Sequence, residues 1–310
     1  TVSIIGMVYD KGTTKNDNIV LTLEDPTGFM KVIVSKKSSA FAAAMDTGLD
    51  EVIGVVGSTG DNVVFANTIV CPDIPLVTEV KKCPDEVYVV VVSDIHVGSK
   101  LFLPERFNNF IEWLGGNYGK EEDREIASKV KYVFVVGDIV EGVGIFPSQQ
   151  HELSIPDIYG QYSEAAKYLS RIPLDKKIIY STGNHDACRI AEPQPRVYKE
   201  YAPDFYNIPN LVMVTNPSMV NIHKVGDFPG FDVLLYHGFS YTYYCDNVQS
   251  IKDSGLPISD RTGIIMKYLL QRRHLAPTYG STRAMPNPSE DCLVIQDVPD
   301  PGVFVYGKRK

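Results

Sequence analysis

The sequence predicts an α/β protein: a small β-barrel over residues 1–72, a linker at 73–85, and a sheet-and-helix domain over 86–310. Three observations carry this. Short runs rich in Val and Ile, separated by turn residues, fill the first 75 positions. Three prolines among mixed charges mark Cys71 to Asp85 as a linker. Beyond it the apolar runs YVVVV, YVFVV, KIIY and DVLLY recur every 44 to 55 residues. Near-continuous apolar strands of this kind belong to a sheet covered on both faces.

The N-terminal strands are expected at Val2–Tyr9, Asn18–Glu24, Met30–Ser35, Glu51–Gly57 and Val63–Val70. Lys-Gly, Asp-Pro-Thr-Gly and Thr-Gly-Asp-Asn supply turns between them. A helix at Ser38–Met45 falls between the third and fourth strands, the order of an OB-fold. Such a barrel can be a platform for single-stranded nucleic acid if aromatics stand in a basic groove. Residues 1–75 offer only Tyr9, Phe29, Phe41 and Phe65, among 5 basic and 9 acidic side chains. Docking of another protein is therefore the preferred reading of the barrel.

In the second domain helices are expected at Phe107–Leu114, Glu122–Val130 and Tyr162–Ser170, and the run Val87–Val92 as a buried strand. No apolar stretch approaches the roughly 20 residues that span a bilayer, and no signal peptide is visible. The five cysteines are odd in number and none forms a CxxC, so reduced thiols in a cytoplasmic setting are expected. Cys188 reads as a small buried filler. A net charge of −8 excludes a protein that holds nucleic acid by bulk electrostatics alone.

The chemistry lies in four polar signatures, each at the end of an apolar run: SDIHVGS (93–99), GDIVEG (137–142), GNHD (183–186) and YHG (236–238). Sheets of this kind place their ligand loops at such strand ends. Asp94 and His96 lie two apart, so both can lean toward one ion. Asp138 follows a glycine that permits a tight turn. Asn184 offers a neutral oxygen, His237 a ring nitrogen, and His185 can stay unligated and donate a proton. Mixed oxygen and imidazole ligands suit manganese, iron or zinc. One carboxylate shared by two ions would make a hydrolytic site for phosphate esters. Glu141 and Asp186 are expected to orient ligands or close loops.

These signatures, D-x-H, G-D-x-x-[DE], G-N-H-[DE] and a later H, resemble the calcineurin-like metallophosphoesterase superfamily. SDIHVGSK, VVGDIVEGVGIFPSQ, GNHDACR, EPQPRVYKEY and RRHLAPTYG resemble more closely the small subunits of archaeal family-D DNA polymerases. The resemblance covers essentially the whole chain. It implies an OB-fold followed by a two-sheet β-sandwich flanked by helices. It also implies a manganese-stimulated 3′–5′ proofreading exonuclease, acting on DNA 3′ ends beside a large catalytic polymerase subunit and near the nucleoid. Asp94 and His96 would then hold one metal, Asn184 and His237 the other, with Asp138 between them and His185 protonating the departing 3′ oxygen.

One departure stands out. The family follows its last apolar strand with G-H-x-H, whereas here VFVYGKRK puts Lys308 and Lys310 where histidines are expected. Lysine ammonium has no lone pair and repels a cation. The domain is expected to lack its C-terminal end; taken literally, the ending removes one ligand per ion and predicts weak or no activity. Two further functions fit the resemblance: a catalytically silent scaffold subunit, and another phosphatase or phosphodiesterase on the same fold.

Overall fold

The computed structural model describes residues 1–75, 80–300 and 304–306. Lys308 and Lys310 lie outside the described residues. The chain packs as two compact units, Thr1–Thr78 with Phe239–Val298, and Glu79–Gly238 with Pro299–Lys310. The division expected from the sequence was continuous, at 72 and 86; in the packing, residues 239–298 go with the N-terminal unit.

In the first unit β1 (Val2–Thr13), β2 (Ile19–Asp25), β3 (Gly28–Val34), β4 (Val52–Gly60) and β5 (Val63–Val70) close a barrel in the order β1-β2-β3-β5-β4. Helix α1 (Phe41–Asp46) falls between β3 and β4. Alternation drives closure: Ile19, Leu21 and Leu23 of β2, with Val32 and Val34 of β3, point into one buried cluster with Ile53 and Val55. β1 runs four residues past the expected end because a register shift between Val8 and Asp10 bends it round the barrel. Tyr9 and Phe29 are exposed and meet edge to face at 5.2 Å, and Phe65 is exposed too, whereas Phe41 packs against the core.

The second unit begins with β6 (Tyr88–Val92), α2 (Pro104–Leu114), α3 (Glu121–Lys129) and β7 (Val130–Val136), followed by α4 (Ile158–Leu169) and β8 (Lys177–Ser181). β9 (Leu211–Val214), β10 (Ser218–Ile222) and β11 (Phe231–Tyr236) follow. A parallel sheet forms in the order β6-β7-β8-β9. Its two faces are dictated by alternation along the apolar runs. Val133, Val135, Ile178 and Tyr180 turn toward Ile111 and Leu114 of α2 and Tyr162 and Leu169 of α4. Phe134, Val136 and Ile179 turn the other way, onto Ile222, Val233 and Leu235 of the second sheet.

Helix starts follow local chemistry. Pro104 opens α2, and the Asp157 carboxylate caps α4 by accepting from Gly160 N–H at 2.7 Å. Two expectations are corrected. Val130 begins β7 rather than ending a helix, since Val130 to Val136 is a run of β-formers. The run from Val87 is not a buried strand throughout: β6 is an edge strand, with Tyr88, Val89 and Val91 exposed. β9 and β10 were not anticipated, because four or five half-exposed residues give too weak a pattern.

The chain then forms α5 (Tyr241–Asn247), α6 (Gln249–Lys252) and α7 (Thr262–Arg272), which pack in the first unit. Buried Glu51 anchors α7 there: its carboxylate accepts from Tyr268 Oη and from Arg272 Nε at 3.2 Å, and the Arg272 guanidinium lies 3.6 Å over the Tyr268 ring. Last among the described strands, β12 (Phe304–Tyr306) joins β11 in parallel, giving the order β10-β11-β12. No helix among the described residues is long and apolar enough to cross a membrane.

Candidate metal centre

The four signatures meet at the ends of β6, β7, β8 and β11. Backbone bonds continue past the strands: Asp94 N–H donates to Gly137 O at 3.2 Å, His96 N–H to Asp138 O at 3.0 Å, and Gly137 N–H to Ser181 O at 2.9 Å. Asp94, His96 and Asp138 all adopt left-handed backbone, φ 53°, 55° and 53°. Non-glycine residues occupy that region at a cost, and such strain is characteristic of functional loops. Here it turns three side chains back over the strand ends toward one point.

Asp94, His96 and Asp138 bring ligand atoms within 4.8 Å of one another. His96 Nε2 is 3.8 Å from Asp94 Oδ1 and 4.0 Å from Asp138 Oδ2. On the other side of Asp138, His237 Nε2 lies 3.3 Å from Asp138 Oδ2 and 3.3 Å from Asn184 Oδ1. The His237 Nδ1–H donates to Val136 O at 3.0 Å, which leaves Nε2 as the ring atom facing the carboxylate and the amide. All five residues expected from the sequence are thus brought together, with Asp138 common to both groups.

His185 stands beside them. Its backbone N–H donates to Asp138 Oδ1 at 2.8 Å, and its ring meets His96 edge to face at 4.7 Å. His185 Nδ1 is 2.7 Å from Glu141 O; a carbonyl only accepts, so Nδ1 carries hydrogen and Nε2 is left to hold or pass a proton. The Glu141 carboxylate lies 3.0 Å from His96 Nδ1, an ion-pair contact without hydrogen-bond alignment. Asp94, His96, Asp138, Glu141 and His185 line an open cavity of about 380 Å³ together with Phe102.

The electrostatics favour a cation. Burial would depress the basicity of His237, yet the adjacent Asp138 carboxylate pushes it up to about 9. Asp138 in turn is held down to about 2 by His237 against the opposing effect of burial. His96 is also raised: Asp94, Asp138 and Glu141 outweigh its desolvation. The carboxylates thus set a negative potential at both His96 and His237, which favours a cation between them and Asp138 once the rings give up their protons. Asp186, raised to about 6 by burial and by Asp138, accepts from Asp138 N–H at 2.9 Å and Gly183 N–H at 2.8 Å. It ties two loops together rather than facing the cavity. Burial pushes the Cys188 thiol up to about 12, which disarms it as a nucleophile.

The model of the calcineurin-like phosphoesterase family matches residues 87–304. The chain belongs to the calcineurin-like phosphoesterase family. Members bind divalent metals, and the cluster around Asp138 could hold them. Among curated proteins, a DNA polymerase II small subunit of Methanothermobacter thermautotrophicus is 41% identical over 96% of this chain and 59% of its own length. That of Archaeoglobus fulgidus is 41% identical over 96% and 58%, and that of Pyrococcus furiosus 39% identical over 97% and 47%. The chain spans about half the length of these relatives. Among solved structures, an asparaginyl-tRNA synthetase of Pyrococcus horikoshii is 23% identical over 22% of this chain and 18% of its own, with a TM-score of 0.20, too slight a likeness to bear on the fold.

Sequence reasoning missed two buried amides in this phosphoesterase site, Gln194 and Asn216, and the phenol of Tyr162, which donates to Asp186 at 3.3 Å. Gln194 lies within EPQPR, but neither amide has a spacing to any signature. Only the folded chain brings them there.

Glycine is demanded where these loops cross. Gly137 has φ +80°, and a Cβ on it would sit 2.2 Å from His237 Nδ1. Gly137→Ala is expected to cost about 1–3 kcal/mol through backbone strain and displacement of His237, read by denaturant unfolding, and to weaken metal uptake. Wild-type stability in that variant would show that the loop has room the geometry denies.

Proposed function

We propose that this calcineurin-like phosphoesterase is the hydrolytic portion of the small subunit of an archaeal DNA polymerase, a 3′–5′ exonuclease that removes terminal nucleotides. The observation that carries the reading is the convergence of Asp94, His96, Asp138, Asn184 and His237 around one shared carboxylate. It occurs in a chain 39–41% identical to polymerase small subunits. On this reading the N-terminal barrel is an OB-fold that docks protein, the partner is a large polymerase subunit, and the protein works in the cytoplasm at the nucleoid.

Asp94 and His96 would hold one divalent ion, Asn184 and His237 a second, and Asp138 both; manganese is preferred over iron or zinc. When bound, the ions supply positive charge against the phosphate oxygens and make water more acidic. The chain's own residues do the rest. Glu141 sets its negative charge beside His96, Asp186 keeps the Asp138 and Gly183 loops closed, and His185 passes its Nε2 proton to the departing 3′ oxygen. A phosphodiester is itself anionic, so an acidic cavity without added cations would repel it.

The test is an end-labelled single-stranded DNA assay with and without Mn²⁺. Stepwise shortening from the 3′ end, only with metal, is expected. Hydrolysis of a simple aryl phosphate with no shortening of DNA would replace the nuclease by a phosphatase.

A further inference from the structure

The two proposed ion sites are built by different means. Asp94, His96 and Asp138 follow β6 and β7, neighbours in one sheet, and the backbone bonds beyond the strands continue that pairing. Asn184 and His237 follow β8 and β11, which belong to different sheets, so no ladder sets one against the other. Apolar packing between the sheets sets their separation only loosely, because dispersion contacts have no direction.

Beside the His237 Nδ1–H bond to Val136 O at 3.0 Å, direction between them comes from two amides. Gln194 is 2% and Asn216 0% exposed. Their backbones bridge each other: Gln194 N–H donates to Asn216 O at 2.7 Å and Asn216 N–H to Gln194 O at 3.0 Å. Their side chains then form a one-way relay. The His237 N–H donates to Asn216 Oδ1 at 2.8 Å, and Asn216 Nδ2 donates to Gln194 Oε1 at 2.7 Å. Gln194 Nε2 donates to Gly183 O, the residue before Asn184, at 3.3 Å. An amide has one donating and one accepting end, so reversing either side chain breaks the links at both of its ends. Buried as they are, the broken links would go unsatisfied.

The geometry points to Asn216 and Gln194 as positioning residues that hold Asn184 and His237 at the spacing of one ion while leaving the Asp94–His96 site to its own ladder. This rests on the two-ion reading above. Both side chains act through the backbone of the residues that carry or precede the ligands.

Mn²⁺ titration of the full chain, followed by calorimetry and by electron paramagnetic resonance, tests it. Wild-type protein should take two ions per chain and show the signal of a spin-coupled pair. Asn216→Asp keeps the shape but sets an acceptor against Gln194 Oε1; Gln194→Met keeps the bulk without charge. Both should lose roughly 10–100-fold in affinity for one ion, keep the other, and replace the pair signal by that of isolated Mn²⁺. Where Asn216→Asp does not fold, Gln194→Met decides alone. Two unchanged affinities in a folded variant would overturn the inference, as would the loss of both ions. A wild-type chain that takes no ion at all would overturn the metal centre itself, and the inference with it.

Discussion

On the proposed two-ion reading, Asp138→Ala is expected to lower metal-dependent hydrolysis by at least about 10³-fold. Loss of a single oxyanion donor already costs an enzyme about 10²–10³, and Asp138 does more. It is the carboxylate common to the Asp94–His96 and Asn184–His237 groups. It also accepts the His185 N–H at 2.8 Å, so its removal loosens the proposed proton donor along with both ligand groups. Alanine at φ 53° adds backbone strain of about 1–2 kcal/mol. A second variant, Asp138→Asn, therefore separates charge from folding: it tolerates the left-handed backbone and can still accept from His185 N–H. Both variants should lose hydrolysis while Asn keeps near wild-type stability, measured by DNA shortening beside thermal unfolding. Full activity in Asp138→Asn would mean that no shared anionic ligand is needed, and the two-ion assignment would fall.

On the proposed exonuclease reading, His185→Asn should spare metal binding and slow cleavage of DNA by roughly 10²–10⁴-fold, the usual worth of a positioned general acid. The effect must depend on the leaving group. A nucleoside alkoxide needs a proton as it departs, whereas an aryl oxide such as p-nitrophenolate leaves unaided. The variant should accordingly hydrolyse an aryl phosphodiester at close to the wild-type rate. This separation follows from the ring's wiring: Nδ1 is committed to Glu141 O at 2.7 Å, the ring lines the cavity, and the hydrogen bond to Asp138 comes from the backbone N–H. Equal slowing of both substrates, or an emptied metal site under Mn²⁺ titration, would assign His185 a different role.

Much of the architecture was legible because it rests on short-range patterns. The barrel strands read as Val- and Ile-rich runs between turn residues, and each is present. β7, β8 and β11 read as continuous apolar runs because both of their faces are buried. Where one face is open the same pattern misleads, as in β6, whose Val89 and Val91 are exposed. Where the run is short it disappears, as in β9. The return of residues 239–298 to the barrel's unit had no local signal, since the contact of Glu51 with Tyr268 and Arg272 spans more than 200 positions.

For the centre, the division is between chemistry and placement. Which side chains could ligate an ion, and that each ends an apolar strand, could be read along the chain, because residue type and strand periodicity are local properties. Folding had to show that Asp138 faces both groups, that the Glu141 carboxylate comes within 3.0 Å of His96, and that Gln194 and Asn216 bridge the two sheets. Those are contacts between residues 22 to 99 positions apart. Burial and hydrogen-bond direction settle them, and neither is written in the order of residues along one strand.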